Sequence, residues 1–257
     1  MSIDSSNPTR PKASWIDVVL TVFLGIVALF GSQLIAGFII SLYPLIRHWS
    51  VAQGNSWLTN SIFAQFIFVL LAETIAVGVI IFFLKKTKRG LSSIGLRRPA
   101  WTDPIFGLMG LPAYFVIYFV LVNIVIQLAP HLNVNEKQQI GFTGASGAGN
   151  IILTFISLVI LPPIAEEIIF RGLIYSNLRK KMKMWLAAII TSLLFAAGHL
   201  PEGGSAGPLY IAAIDTFSLS LVLVYLREKT GGLYASMTLH ALKNLIAFIA
   251  LFALHQL

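Results

Sequence analysis

The sequence contains no cysteine and few charged residues. Only 11% of its 257 residues are Asp, Glu, Lys or Arg, whereas about a quarter are charged in an ordinary soluble domain. The absence of cysteine excludes a disulfide framework and a thiol nucleophile. Hydrophobic residues make up 57% of the chain, and several stretches of more than about 18 residues are nearly free of charge. Composition therefore predicts an integral membrane protein, because a soluble core does not explain such stretches.

The hydropathy pattern predicts an all-α, polytopic transmembrane helical bundle of about seven spans, within a range of six to eight. The expected spans are residues 15–46, 61–84, 105–128, 151–177, 184–199, 208–226 and 233–255. The first stretch is too long for a signal peptide and has no small-residue cleavage site, so we expect it to be retained. Three regions follow: a polar tail at 1–14, three N-terminal spans at 15–150, and a four-span catalytic core at 151–257.

The basic residues are concentrated in alternate connections between the predicted spans. Those before the first span and after the second, fourth and sixth hold 14 Lys and Arg residues, and the opposite connections hold 2. By the positive-inside rule the N-terminus is expected inside and the C-terminus outside. The net charge of +8 therefore reflects membrane topology. The expected partner is the lipid bilayer and not nucleic acid.

The fourth predicted span contains three ionisable residues, Glu166, Glu167 and Arg171. A charged side chain at the centre of a span costs about 2.5–3.5 kcal/mol on insertion scales, so each one needs a reason. Glu167 and Arg171 are i,i+4 neighbours with the acid first, which is the favourable order for an ion pair. Glu166 points about 100° away and is the candidate general base. The alternative is that both acids only pair with basic groups on neighbouring helices.

Two later spans contain further polar residues at comparable depth. The fifth ends at His199, and the seventh contains His240 and Asn244 at i,i+4 spacing, on one helix face. Helical rise places all three and Glu166 within about two turns of the membrane midplane. An Asn side chain is a poor zinc ligand but a good oxyanion donor. These residues therefore predict a shared polar cavity.

Lys243 is an unusual charge inside the seventh span. We expect it to pair with Asp215 or Glu73, the acids of the sixth and second spans. The alternative is that its long side chain extends to the membrane surface.

The ordered motifs resemble those of the CPBP family of intramembrane peptidases, which includes the type II CAAX prenyl endopeptidases and bacteriocin-processing and immunity proteins. The matching residues are Glu166, Glu167 and Arg171 for Glu-Glu-x-x-x-Arg, Phe195 and His199 for Phe-x-x-x-His, and His240 and Asn244 for His-x-x-x-Asn. The likeness covers residues 160–247. Each motif alone is weak evidence for the resemblance, whereas the three motifs in this order inside predicted spans are strong evidence.

The resemblance implies an intramembrane endopeptidase, a hydrolase of peptide bonds. Glu166 and His199 would activate a water, His240 and Asn244 would stabilise the oxyanion, and Glu167 and Arg171 would orient the first pair. The family is usually classed as metallopeptidases, so a divalent metal such as Zn²⁺ is an open alternative. Its candidate ligands are Glu166, His199 and His240. The sequence contains no His-Glu-x-x-His motif.

The resemblance implies membrane-embedded or lipidated peptide substrates, either prenylated or bacteriocin-like, and a multi-pass protein of a bacterial plasma membrane. Two other functions are consistent with the same residues. A proton-coupled transporter could use buried Glu, His and Asn side chains as a relay, although no internal repeat is visible. A non-catalytic immunity or scaffold protein would bind a partner without hydrolysis.

Overall fold

The computed structural model describes residues 14–130, 132, 141–201 and 207–253. All regular secondary structure in these ranges is helical. Among the described residues, six helices are long and apolar enough to cross a membrane: Trp15–Ile46, Ile62–Lys86, Asp103–Leu128, Ala148–Leu178, Tyr210–Thr230 and Tyr234–Phe252. A shorter apolar helix, Met184–His199, coincides with the predicted fifth span. The predicted helical membrane bundle is thus confirmed, and the protein is an integral multi-pass membrane protein.

The seven helices are numbered below as first to seventh span in chain order. Their ends lie within a few residues of the ends expected from hydropathy. Two parts of the sequence prediction, most of the polar tail at 1–14 and the end of the seventh span at 255, lie outside the described residues. The orientation with the N-terminus inside stays a prediction.

A short helix, Val51–Asn60, lies between the first two spans and was not expected from hydropathy. A capping box begins it, in which the Ser50 side chain accepts from the Gln53 backbone and the Gln53 side chain accepts from the Ser50 backbone. The Tyr43 and Trp57 rings lie 4.9 Å apart beside it. Such an aromatic cluster is typical of a membrane–water interface, where amphipathic rings are enriched.

The connections that carry most of the basic residues meet at one end of the bundle. Arg89, after the second span, donates to the Asn177 side chain near the end of the fourth span at 3.4 Å. The Leu233 backbone N–H, before the seventh span, donates to the Gly95 carbonyl in the connection after the second span at 3.1 Å. Connections expected on the same side of the membrane are therefore in contact.

The fourth span occupies the centre of the bundle. It packs against the first, second, fifth and seventh spans, and its residues from Ile168 to Tyr175 are all buried. Arg171, the charged residue of this segment, is therefore enclosed by neighbouring helices.

Candidate active site

The helix of the fourth span is irregular around its two glutamates. It contains a π-helical turn at Ile156–Ile160, an α-helical turn at Leu161–Glu167 and a second π-helical segment at Ile168–Tyr175. Pro162 and Pro163 lie in the middle turn and supply no backbone N–H, so the regular ladder cannot continue through them. Single π turns often occur at functional sites.

Glu167 and Arg171 form a buried ion pair behind the site. Arg171 Nη1 donates to Glu167 Oε1 at 2.8 Å, and both side chains are 0% exposed. The Arg171 guanidinium also lies 4.5 Å from the ring centroid of Phe195 on the fifth span, which is a cation–π contact. The ion pair is the i,i+4 contact that the spacing predicts. The cation–π contact joins the first motif to the second.

His240 of the seventh span lies between the two glutamates. Its Nδ1 is 3.3 Å from Glu167 Oε1, and its Nε2 is 3.7 Å from Glu166 Oε2. The sequence grouped His240 with Asn244, Glu166 and His199, so its contact with Glu167 is a new feature. Because a carboxylate can only accept, this contact favours a hydrogen on Nδ1 and fixes the orientation of the ring.

His199 is held at the end of the fifth span by its own helix. Its Nδ1 lies 2.8 Å from the Phe195 carbonyl oxygen, one turn earlier, and the two rings are 4.7 Å apart. A carbonyl only accepts, so Nδ1 carries the hydrogen and Nε2 is the basic nitrogen. The Phe-x-x-x-His spacing therefore sets the tautomer of His199.

Asn244 contacts the irregular turn of the fourth span. Its Nδ2 donates to the Leu158 carbonyl at 3.0 Å. That carbonyl would accept from residue 162 in α-helical register or from residue 163 in π register, and both are proline. Asn244 thus supplies the hydrogen bond that Pro162 and Pro163 remove. The proline pair and the Asn are visible in the sequence, but their proximity is not.

Loss of this hydrogen bond is expected to destabilise the protein. Asn244→Ala leaves the Leu158 carbonyl without its donor and should cost about 1 kcal/mol, since hydrogen bonds in membrane proteins are modest. Thermal unfolding in detergent micelles measures this. In a Pro162→Ala background the new N–H can donate to Leu158, so the effect of Asn244→Ala should shrink. An equal effect in both backgrounds would contradict the assignment.

Four of the six predicted site residues line one cavity of about 340 Å³. They come from the fourth, fifth and seventh spans: Glu166, His199, His240 and Asn244. Glu167 and Arg171 are fully buried behind the wall and do not line it. The two glutamates therefore differ in position: Glu166 faces the cavity, and Glu167 is buried behind the cavity wall.

Comparison with known proteins agrees with these motifs. Residues 148–246 match the family model described as type II CAAX prenyl endopeptidase Rce1-like. The chain contains an Rce1-like domain. The resemblance noted from the motifs is confirmed over these residues, and the matching family is a protease family.

A curated protein resembles part of the chain. A protein of Escherichia coli described as an uncharacterized 24.3 kDa protein is 36% identical over 93 residues, which are 35% of this chain and 41% of the relative. The chain thus spans less than half the length of that relative. No solved structure matches.

Three polar residues on different spans connect at the wall of the cavity, which Asp215 and Lys243 line. Lys243 Nζ lies 2.8 Å from Asp215 Oδ2, and the Tyr114 hydroxyl donates to Asp215 Oδ1. Asp215 and Glu73 were the expected partners of Lys243, and in the structure Lys243 pairs with Asp215. The network links the third, sixth and seventh spans and so holds the cavity-facing side of the seventh span in place.

Phe142 is a cavity-lining residue that the sequence did not indicate. It belongs to the connection after the third span, yet it is buried and lines the cavity. Its backbone N–H donates to Gln65 Oε1 at 2.5 Å. The sequence feature that could have indicated Phe142 is the presence of an aromatic residue in a Gly-rich connection.

The candidate metal ligands do not form a ligand set in this arrangement. Among the described residues, no group of three or more His, Asp or Glu side chains could hold a metal ion.

Proposed function

We propose that the chain is an intramembrane endopeptidase that hydrolyses peptide bonds by activated water. The convergence of Glu166, His199, His240 and Asn244 from three spans on one cavity supports this. A base, a second basic nitrogen and amide or imidazole donors are the groups that hydrolysis of an amide requires.

In this proposal Glu166 and His199 activate the water. Glu166 accepts a proton from the water while His199 Nε2 holds it by a hydrogen bond, and the hydroxide attacks the scissile carbonyl. Glu166 then returns the proton to the leaving amine, which completes the hydrolysis. Because both side chains line the cavity, a water between them is within reach of a bound peptide.

His240 and Asn244 are the proposed oxyanion donors. The Asn244 amide carries two hydrogens, of which one is used on Leu158. The second can donate to the developing oxyanion. His240 can donate from Nε2 when that nitrogen carries a hydrogen, while Nδ1 remains on Glu167. Such donors act strongly in a site with little water.

Glu167 and Arg171 are proposed as positioning residues. Glu167 accepts from Arg171 at 2.8 Å and lies 3.3 Å from His240, so the pair holds the imidazole from behind. Neither side chain lines the cavity, and both therefore act through His240.

The proposed substrates are membrane-associated peptides, either lipidated at the C-terminus or small and bacteriocin-like. The proposed location is a bacterial plasma membrane. The family description supports a peptidase of the CAAX type, and the position of the cavity among membrane spans supports substrates that reside in the bilayer.

The experiment that tests this function is cleavage of a fluorescent membrane peptide by the purified protein in liposomes. His199→Ala should lower kcat/KM by about 100-fold or more, because it removes one of the two groups that hold the water. His48→Asn is the matched control. His48 has a left-handed backbone (φ 54°) outside the cavity, a conformation that Asn tolerates, and it should retain activity.

Other outcomes would favour the alternative functions. Proton-coupled solute uptake with no cut peptide would indicate a transporter. A partner bound equally well by wild type and His199→Ala, with no hydrolysis by either, would indicate an immunity or scaffold protein. Equal turnover by wild type and His199→Ala would contradict the proposed mechanism.

A further inference from the structure

Glu73 is a cavity-lining carboxylate that the proposed mechanism does not use. It lies in the second span, outside the residues that match the Rce1-like family, and it lines the same cavity as Glu166 and His199. Within the described part of the chain, no hydrogen bond or ion pair to its carboxylate is present. Its partial burial is therefore not compensated by a hydrogen bond or ion pair from another described side chain.

The other described acids in or behind the cavity wall each have a nearby basic group. Glu167 pairs with Arg171, Asp215 pairs with Lys243, and Glu166 lies 3.7 Å from His240 Nε2. An ionisable side chain in a membrane span is expensive and commonly marks a substrate or ion pathway. Glu73 is the acid for which a bound ligand would supply the missing partner.

The charge of the cavity indicates the sign of that ligand. Among the described residues that line it, three are acidic, Glu73, Glu166 and Asp215, and one is a lysine, Lys243. Since Lys243 is within 2.8 Å of Asp215, it neutralises that acid. Because Glu166 lies 3.7 Å from His240 Nε2, Glu73 is the acid among the described lining residues that has no such neighbour, and an acidic group in a cleft with apolar walls attracts cations. The volume of about 340 Å³ lies within the range of ligand pockets.

We propose that Glu73 binds a lysine or arginine side chain of the substrate, close to the scissile bond. This inference rests on the proposed peptidase function and gives it a substrate class: membrane peptides with a basic residue near the cleavage site. A carboxylate that meets such a side chain forms a charge-assisted hydrogen bond, which is stronger than a neutral one. Glu73 then determines specificity, while Glu166 carries the chemistry.

The test compares peptides that differ in one charge. Identical single-span fluorescent peptides carry Lys, Gln or Glu at each position near the scissile bond, and the full-length protein cleaves them in liposomes. At one position wild type should prefer Lys over Gln by about tenfold or more in kcat/KM. Glu73→Gln should bring this ratio close to one, and Glu73→Lys should favour the Glu peptide. Glu228→Gln, a carboxylate outside the cavity, should keep the preference for Lys.

A binding measurement makes the result independent of turnover. Glu166→Gln should bind the Lys peptide more tightly than the Gln peptide, and Glu166→Gln/Glu73→Gln should bind both equally. Cleavage without any charge preference, or the same preference in wild type and Glu73→Gln, would overturn this inference and leave the peptidase function intact. No cleavage of any peptide by wild type would overturn both.

Discussion

Glu166→Gln is expected to lower the rate of peptide hydrolysis by about 10²–10⁴-fold, the usual contribution of a general base. Glutamine has nearly the same shape but cannot accept the proton of the attacking water. The Glu166 side chain is 17% exposed and lines the cavity, so we expect little change in stability. The measurement is kcat with the fluorescent membrane peptide in liposomes, together with the melting temperature in detergent.

A matched control separates loss of the base from a general effect of removing an acid. Glu228 lies at the end of the sixth span, partly exposed, with Arg179 3.0 Å away. Exposed ion pairs contribute about 0–1 kcal/mol, so Glu228→Gln should change kcat by less than twofold. Full activity of Glu166→Gln in a correctly folded preparation would show that another group accepts the proton.

Glu167→Ala is expected to reduce the free energy of unfolding by about 3–5 kcal/mol, because it leaves the Arg171 guanidinium buried without its carboxylate. Both side chains are 0% exposed, so neither can reach water. His240 also loses the group beside its Nδ1. We therefore expect activity to fall even at temperatures where the variant remains folded. Unfolding in detergent and hydrolysis in liposomes measure the two effects.

The double variant Glu167→Leu/Arg171→Leu is the informative control. Replacing a buried ion pair by apolar residues is often neutral or stabilising, whereas removing one partner is not. The double variant should therefore be more stable than Glu167→Ala and still have low activity, because His240 is no longer oriented. If Glu167→Ala and the double variant were equally stable, the two buried charges would not offset the cost of burying each other, which would contradict the proposed role of the ion pair. Full activity of the double variant would contradict the positioning role.

The spans could be predicted because hydropathy is a local property. The ends of the first and fifth helices coincide with the expected residues, and the others differ by a few positions. The helix Val51–Asn60 escaped prediction because it is short and mixes polar with aromatic residues. The π turns of the fourth span also escaped prediction, since they arise from how the helix accommodates its prolines within the bundle.

Within the candidate site, contacts along one helix were predictable and contacts between helices were not. The Glu167–Arg171 pair follows from i,i+4 spacing alone. Depth placed His240 near the glutamates, but depth carries no lateral information, so its position between Glu166 and Glu167 required the structure. The same holds for Asn244, whose hydrogen bond to Leu158 spans 86 residues.

The π turn at Ile156–Ile160 has a consequence for the rotation of everything that follows it. A π turn contains one residue more than an α turn, and one residue corresponds to about 100° around the helix axis. If the π turn were replaced by an α turn and the first half of the helix stayed in place, every later residue would be rotated about the helix axis by about 100°. The extra residue therefore sets the angular phase at which Glu166 faces the cavity and Glu167 faces His240.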